Sequence, residues 1–324
     1  GLGWRGQPQF RPSYSPDTLL GNNYLGRAFA IARSAIPVDD RITLSYRGIW
    51  RCILSAGFEP RHVGRVSRVL LTEPRGLRTA ASQRDADMVR EVFAERGEAL
   101  TTTVESGVVR VRFEPAQWPS VSIVIPTRHS RANLGRLLPG LARTEYPAPW
   151  SVQIIDNGGE SPENASWYEA QKGSLDLAVM WWTETPFNYS RVNNVAARAT
   201  AGEVIVLLND DTQIVDPGWL TEIIGHLMRP GVGTVGLQLR NHDGLIQHGG
   251  VTVGPGGFAD NLFAGLAPGS PTLLGSTNWY RDTLAVTGAC VAIKRVDFDE
   301  VGGLNEQFVL CGSDVVLGLD QVVR

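Results

Sequence analysis

Two adjacent acidic residues, Asp210 and Asp211, follow a short apolar run at 204–208. An apolar run that ends in polar residues is typical of a buried β-strand. Neighbouring carboxylates repel each other and are costly to desolvate, and a divalent cation would relieve that cost. Carboxylate oxygens suit Mg²⁺ or Mn²⁺, which substrate phosphates often help to bind. The simpler alternative is that one of the two acids caps the turn after the strand.

Two further apolar runs end in polar residues in the same way. Pro126 and Thr127 follow the run at 121–125, and Asp156 follows the run at 152–155. Asp156 could accept hydrogen bonds from a base or a ribose, and the alternative is an Asx turn into the glycines at 158 and 159. Neither G-x-G-x-x-G nor G-K-[ST] follows these runs, so the sequence supports neither a dinucleotide site nor a Walker-type loop.

Helical patterns alternate with these runs and would position the polar residues. Apolar residues at three- and four-residue intervals predict helices over 132–143 and 220–227, and a further helix is expected over 190–200. Asp216-Pro217 is expected to start the helix at 220–227. The alternation predicts an α/β fold with a mainly parallel central sheet flanked by helices. Ligands bind at the carboxyl ends of such strands, so the three polar strand ends are expected to meet.

The residues before 119 have a different pattern. Helices are predicted over 44–57 and 85–96, and a strand over 108–113, which makes a smaller α+β segment. The proline-bounded stretch at 114–119 is the predicted domain boundary. The formal net charge of −3 argues against a nucleic-acid partner. No apolar run approaches the roughly 18 residues that a membrane-spanning helix needs.

A series of short motifs runs from about residue 120 onward. They are SIVIPT at 122–127, IIDNG at 154–158, FNYSRVNN at 187–194, GE at 202–203, LNDD at 208–211, VTGAC at 286–290 and VGGLNE at 301–306. In this order the motifs resemble a family 2 glycosyltransferase of the GT-A fold. The subgroup that they resemble most includes rhamnosyltransferase-like and O-antigen or cell-wall polysaccharide enzymes.

The resemblance implies a donor site built from the strand ends and from the segment after residue 187. Pro126, Thr127 and Asp156 would hold the nucleotide base, and Asp210 would approach the ribose. Asn188, Asn193 and Asn194 would line the donor pocket, with Asn188 and Asn194 on the nucleotide. Asp211 would bind the metal ion that bridges the diphosphate, and Gly288 would let the backbone approach the sugar.

Asp314 stands where the family carries its general base, and this role has a physical basis. Inverting transfer needs a carboxylate to take the proton of the acceptor hydroxyl. The alternative for Asp314 is a helix N-cap, and the two roles are compatible. His248 also falls in a family-like stretch and could line the acceptor cleft. A structural imidazole bonded to the backbone is the alternative for His248.

The chain departs from the family pattern at both ends. Val316 stands where a second acid usually follows the base, and the chain stops at Arg324 before the family's later histidine. We therefore expect residues 119–324 to be a C-terminally truncated glycosyltransferase domain. Residues 1–115, through the segments 10–17 and 22–29, look like the acceptor-side half of an upstream domain, with 62–66 as its closing strand. This segment is expected to be a partial, degenerate remnant.

The resemblance implies an inverting glycosyltransferase with Mg²⁺ or Mn²⁺ as its cofactor. It would move a sugar from a nucleotide-diphosphate donor to a glycan or lipid-linked acceptor during cell-surface polysaccharide synthesis. The expected location is the cytoplasm, with peripheral association at the inner face of the membrane. One alternative is a non-catalytic GT-A module that binds nucleotide or glycan. Another is a nucleotidyltransferase, against which stands the lack of a Gly- and Lys-rich phosphate loop.

Overall fold

The computed structural model describes residues 13–26, 29–39, 41–66, 80–254 and 257–322. The segment 10–17 is described only from residue 13, and Arg27 and Ala28 of the segment 22–29 lie outside the described residues. The chain divides into two compact units. The first combines the described residues up to Glu114 with His242–Ile246 and Gly265–Asp282. The second combines Pro115–Asn241, Gln247–Ala264 and the described residues from Thr283 onward.

The first unit is a small α+β structure. Its elements are α1 (Pro16–Gly21), α2 (Tyr46–Ala56), α3 (Gln83–Glu95), β1 (Leu100–Glu105), β2 (Val108–Phe113), β12 (Pro271–Thr272) and β13 (Gly275–Ser276). β1 pairs antiparallel with β2, and β12 with β13. Ser45 accepts a hydrogen bond from Gly48 N at 3.0 Å, which caps the start of α2. The core of the unit joins apolar residues of α1 to α3 with both strands of the β1–β2 hairpin.

The predicted helices and strand of this unit are found, and one predicted strand is not. α2, α3 and β2 match the predictions within two residues at each end. The closing strand expected at 62–66 is absent, because Pro60–His62 form a 3₁₀ turn and residues 63–66 have no strand pairing. Glu59 and His62 cap that turn reciprocally, so its backbone groups are satisfied locally.

The second unit is built on a six-stranded sheet of order β5-β4-β3-β6-β14-β7. Its strands are β3 (Val121–Thr127), β4 (Trp150–Asp156), β5 (Leu177–Trp181), β6 (Val204–Leu208), β7 (Thr234–Gly236) and β14 (Cys290–Lys294). The first four strands in that order are mutually parallel, and β14 runs antiparallel to both β6 and β7. The register places Thr127 opposite Asp156.

Helices cover both faces of this sheet, which explains why β3, β4 and β6 carry apolar residues on both of their faces. The helices are α4 (Arg131–Leu141), α5 (Pro162–Gln171), α6 (Tyr189–Arg198), α7 (Trp219–Leu227), α8 (Arg295–Glu300) and α9 (Ser313–Val322). Ile123 and Ile125 pack with the leucines of α4 and with α7. Val124 faces the opposite side and packs with α6. The α/β architecture with a mainly parallel central sheet is therefore as predicted.

Four further short strands form two-stranded pairs outside the large sheet. They are β8 (Leu239–Arg240), β9 (Ile246–His248), β10 (Val251–Val253) and β11 (Ala259–Asn261). β8 pairs with β9, and β10 pairs antiparallel with β11. Across the described ranges, no helix has the length and apolar character that crossing a bilayer requires.

One predicted helix start is wrong. α7 begins at Trp219 with Gly218 as its N-cap, rather than at Asp216-Pro217. The Asp216 carboxylate accepts a hydrogen bond from Gly218 N at 2.8 Å. The side chain therefore closes an Asx turn just before the helix, a local alternative that aspartate offers the backbone.

Candidate active site

The ends of β3 and β6 meet through the side chain of Asp210. Thr127 Oγ1 donates to Asp210 Oδ2 at 2.6 Å, and Asn133 Nδ2 donates to Asp210 Oδ1 at 3.2 Å. Both carboxylate oxygens of Asp210 are thus oriented by neighbouring elements. Pro126 lies half-buried in the same strand end, opposite Ile155 of β4. The expected convergence of strand ends is present at this edge of the sheet.

Asp156 at the end of β4 is completely buried and bonded on both oxygens. Its Oδ2 is 2.8 Å from His129 Nδ1 and accepts from Tyr168 Oη at 2.6 Å, while Oδ1 accepts from Gly158 N at 2.7 Å. Burial, followed by the bond to Asp156, raises the pKa of Tyr168 above its ordinary value. The contact to Gly158 is the Asx turn, the alternative role of Asp156. Base binding by Asp156 stays a prediction.

Sequence reasoning missed the two side-chain partners of Asp156. His129 follows the β3 end directly, so its position was a usable signal. Tyr168 lies on α5, and no local pattern connects that helix to the end of β4. Next to Asp156, the Asn157 side chain is partly exposed and has no hydrogen-bond partner among the described residues. Its main-chain N donates to Thr127 O at 2.9 Å.

Asp211 differs from its neighbour because its carboxylate is free. The residue is exposed, and across the described ranges its side chain makes neither a hydrogen bond nor an ion pair. An unpartnered carboxylate at a strand end fits a hard cation such as Mg²⁺ or Mn²⁺. The described residues contain no cluster of three or more His, Cys, Asp or Glu side chains that could enclose a metal. A cation held at Asp211 would therefore take most of its ligands from substrate phosphates and water.

Asp314 lies in the first turn of α9 and is oriented by two backbone groups. Its Oδ2 accepts from Gly288 N at 2.8 Å, and its Oδ1 accepts from Val315 N at 2.9 Å. Gly288 has little room for a side chain, because a Cβ there would lie 3.1 Å from Tyr189 Oη and 3.5 Å from Asp314 Cβ. The structure therefore brings Asp314 and Gly288 into direct contact.

His248 lies beside this contact but is almost fully buried. Its Nδ1 is 2.6 Å from Asn261 Oδ1, and its Nε2 accepts from Gly250 N and Thr287 N, each at 3.3 Å. Burial lowers the pKa of His248, which favours the neutral ring that this bonding needs. Both ring nitrogens are engaged by the protein, which favours the structural alternative. A sugar contact of His248 stays a prediction.

The asparagines after residue 187 bond to a distant loop. Asn188 caps α6 by accepting from Arg191 N at 3.0 Å and donates to Glu306 O at 2.8 Å. Asn194 is buried and exchanges two 2.8 Å bonds with the backbone of Leu304. These contacts fix the 304–306 loop against α6. The donor-pocket role expected for Asn188 and Asn194 stays a prediction.

A comparison with known protein families agrees with this architecture. The profile described as "Glycosyl transferase family 2" matches residues 122–302, more than half of the chain. The chain belongs to glycosyl transferase family 2. Its fold is accordingly GT-A, and the matched range contains the strand ends, Asp210, Asp211, His248 and Gly288.

Two curated relatives match along nearly the whole chain. The O-antigen biosynthesis protein RfbC of Myxococcus xanthus is 34% identical over 333 residues, covering 98% of this chain and 26% of the relative. The uncharacterized protein y4gI of Sinorhizobium fredii is 32% identical over 340 residues, covering 98% of this chain and 37% of the relative. The chain thus spans about a quarter to about a third of the length of these relatives.

Solved structures with a similar backbone include the mannosyltransferase PcManGT of Pyrobaculum calidifontis, in complex with GDP-Man and Mn²⁺. It is 18% identical, with a TM-score of 0.44, and the match covers 63% of this chain and 52% of that one.

Proposed function

We propose that this glycosyltransferase catalyses inverting transfer of a sugar from a nucleoside diphosphate donor to a glycan or lipid-linked saccharide. The pathway proposed is cell-surface polysaccharide synthesis, for which the match to RfbC is the support. The observation that carries the proposal is a pair of carboxylates with different surroundings. Asp211 is exposed and unpartnered in the described chain, whereas Asp314 is fixed by Gly288 N.

In this proposal the donor nucleotide lies along the ends of β3, β4 and β6. Asp210, oriented by Thr127 and Asn133, accepts hydrogen bonds from the ribose hydroxyls. The base lies against Pro126 and the β4 end, where the free amide of Asn157 can both donate and accept. Asp156 supports the base site indirectly, because its contacts with His129, Tyr168 and Gly158 N fix the backbone that carries Asn157.

Asp211 would hold Mg²⁺ or Mn²⁺ together with the donor diphosphate. Such an ion supplies positive charge that stabilises the departing nucleoside diphosphate. The free carboxylate of Asp211 is the support for this part of the proposal, and the choice between the two ions stays open.

Asp314 is proposed as the general base. It accepts the proton of the acceptor hydroxyl while that oxygen forms a bond to the anomeric carbon of the donor sugar. The bond from the same carbon to the diphosphate oxygen breaks, and its electron pair leaves with the nucleoside diphosphate. Attack from the face opposite the leaving group inverts the anomeric configuration.

The alternative is a GT-A module that binds nucleotide without turnover, which the apolar Val316 two residues after Asp314 favours. We also propose that residues 1–115 derive from the acceptor-side half of an upstream glycosyltransferase domain. The support for this origin is the sequence resemblance and the helix and hairpin content of the first unit.

A thermal-shift screen of UDP-, GDP- and dTDP-sugars, with and without Mn²⁺, tests donor binding. Binding at a hundredfold excess over Kd adds about 2.7 kcal/mol to the unfolding free energy, which raises Tm measurably. Asp211→Asn should abolish the Mn²⁺-dependent rise. Asp243→Asn is the control, because Asp243 is an exposed aspartate that accepts from Leu245 N in a turn. If no donor raises Tm, or if Asp211→Asn responds like the wild type, the donor site is wrong.

Release of nucleoside diphosphate then separates the two candidate functions. If the protein is an active transferase, the wild type should release nucleoside diphosphate. Asp314→Asn should release it much more slowly while it binds the donor as well as the wild type does. Binding without any release, across acceptors extracted from cell-surface polysaccharide, would favour the non-catalytic module.

A further inference from the structure

The two backbone groups of Gly288 are bonded to two different side chains. Its N–H donates to Asp314 Oδ2 at 2.8 Å, and its carbonyl oxygen lies 3.1 Å from Tyr189 Oη, which donates to it. Rotation of either flanking peptide would break one of these bonds. The position of Asp314 is therefore coupled to the position of the Tyr189 hydroxyl through a single glycine.

The residue before Gly288 is held from another side. Thr287 N donates to His248 Nε2 at 3.3 Å, and His248 is itself fixed by Asn261 through Nδ1. Two consecutive amide groups thus point to different acceptors, one to His248 and one to Asp314. After the turn the chain enters β14, where Cys290 pairs with Leu208 of β6. The Thr287-Gly288 turn is accordingly fixed at its start, along its length and at its end.

Tyr189 is itself rigidly placed. Its main-chain N donates to Val309 O at 2.7 Å, and the next residue, Ser190, donates through Oγ to Phe308 O at 2.7 Å. Burial, followed by the negative charges of Asp314 and Asp211, raises the pKa of Tyr189 above its ordinary value. The hydroxyl therefore stays protonated and keeps its capacity to donate.

The Tyr189 hydroxyl also lies between the two halves of the candidate site. It is 3.3 Å from Asn209 Oδ1, in the residue just before Asp210 and Asp211. Asn209 N donates to Ala289 O at 3.0 Å, which ties the end of β6 to the same turn. One hydroxyl thus contacts both the strand end that carries the free carboxylate and the glycine that orients Asp314.

We propose that Tyr189 and His248 are positioning residues that clamp the Thr287-Gly288 turn and thereby set the orientation of Asp314. This proposal rests on the proposed function, in which Asp314 is the general base. In this proposal both residues act on Asp314 through the turn rather than through a contact with substrate. The proposal gives a positioning role to Tyr189 of the FNYS segment and to His248, for which the sequence alone indicated none.

The first test compares Tyr189→Phe with Tyr146→Phe. Both variants remove one partly buried tyrosine hydroxyl that donates to a backbone carbonyl, since Tyr146 Oη donates to Pro119 O at 2.7 Å. Both should lose a similar amount of stability. Hydrogen–deuterium exchange by mass spectrometry then reports on the amides at 287–289, where we expect at least roughly fivefold faster exchange in Tyr189→Phe only, as for a loss of about 1 kcal/mol.

The second measurement is the rate of donor hydrolysis. It is followed as release of nucleoside diphosphate, with water as the acceptor, from the sugar nucleotide that raises Tm most. Tyr189→Phe should lower kcat about five- to thirtyfold, as for a loss of one to two kcal/mol. The KM for the donor should change much less than kcat, because the bonds that orient Asp210 are untouched. Tyr146→Phe should change neither constant.

His248 is tested by a conservative and a disruptive variant. His248→Gln can still accept from the Thr287 amide and donate to Asn261, whereas His248→Leu can do neither. The proposal expects slow exchange at 287–289 and near-normal kcat in His248→Gln, and fast exchange with reduced kcat in His248→Leu.

Exchange at the wild-type rate in both Tyr189→Phe and His248→Leu would overturn the clamp. So would an exchange increase that leaves kcat at the wild-type value. A wild-type chain that releases no nucleoside diphosphate from any donor contradicts the proposed function instead. In that case the exchange data alone decide whether the clamp exists.

Discussion

Replacing Asp156 with asparagine should destabilise the second unit, and the size of the effect can be worked from its contacts. The wild-type carboxylate accepts from Gly158 N on one oxygen and from Tyr168 on the other, which also lies 2.8 Å from His129 Nδ1. Asparagine offers one oxygen and one NH₂ group in the same space. Whichever way the amide turns, its NH₂ faces at least one donor.

The less costly orientation turns the NH₂ group toward Gly158 N. This loses one hydrogen bond to a charged acceptor, about 1.5–3 kcal/mol, while the freed N–H of the exposed Gly158 can bond to water instead. We therefore expect Asp156→Asn to lower the unfolding free energy by about 2 kcal/mol. For a domain of roughly 150–250 residues, 2 kcal/mol corresponds to about 4–8 °C in Tm.

Differential scanning calorimetry measures this shift directly. Asp216→Asn is the matched control, because the exposed Asp216 carboxylate accepts from Gly218 N in a similar Asx turn. Its effect should stay within about 0.5 kcal/mol. Tyr168→Phe combined with Asp156→Asn should cost less than the sum of the two single variants, since they share one bond. If Asp156→Asn melts within a degree of the wild type, the reasoning about this buried carboxylate is wrong.

Three further predictions concern the strand ends and the fold around them. Thr127→Val keeps the side-chain shape but removes the donor to Asp210. A bond of about 1.5–3 kcal/mol corresponds to a fall of about ten- to hundredfold in the calorimetric affinity for the nucleoside diphosphate, and unchanged affinity would refute an orienting role. Burial lowers the pKa of His248 in the folded protein, although the charge of Asp314 opposes this shift. The stability that the neutral ring contributes is therefore full above the ordinary pKa of about 6.5 and is lost as pH falls through the lowered pKa. Urea unfolding should show a loss of stability toward acid pH, and His248→Gln should reduce that loss. Gly202→Ala would place a Cβ 2.5 Å from Ser122 N, so the backbone must shift. The expected loss of unfolding free energy is about 1–3 kcal/mol, measurable in the same urea titrations. Wild-type stability of the variant would show that the backbone accommodates the methyl group without cost.

The sequence predicted the central strands well for a physical reason. β3, β4 and β6 are covered on both faces, so each carries apolar residues on both of its faces. β5 is an edge strand of the sheet, and most of its residues are half-buried or exposed; its residues 177–181 are nevertheless apolar throughout, and the strand was not predicted. β14 was not predicted either, because it pairs antiparallel and falls outside the strand–helix alternation that guided the prediction.

The convergence of polar strand ends followed from topology, but the partners of each side chain did not. Asn194 bonds to Leu304, and Asp156 bonds to Tyr168 on the neighbouring helix. Such bonds depend on how helices dock against the sheet, which local periodicity does not encode. A motif therefore indicated which segments gather at the site, while the coordinates distinguish the free carboxylate of Asp211 from the bonded one of Asp210.

The central claim is that the Asp211 carboxylate binds the divalent cation that accompanies a bound sugar nucleotide. Anomalous diffraction from crystals soaked with MnCl₂ and UDP, GDP or dTDP in parallel tests it most directly. The account predicts a manganese peak bonded to the Asp211 carboxylate and to the diphosphate, with the base against Pro126 and Asn157. A manganese peak away from Asp211, or a nucleotide bound away from these strand ends, would contradict it.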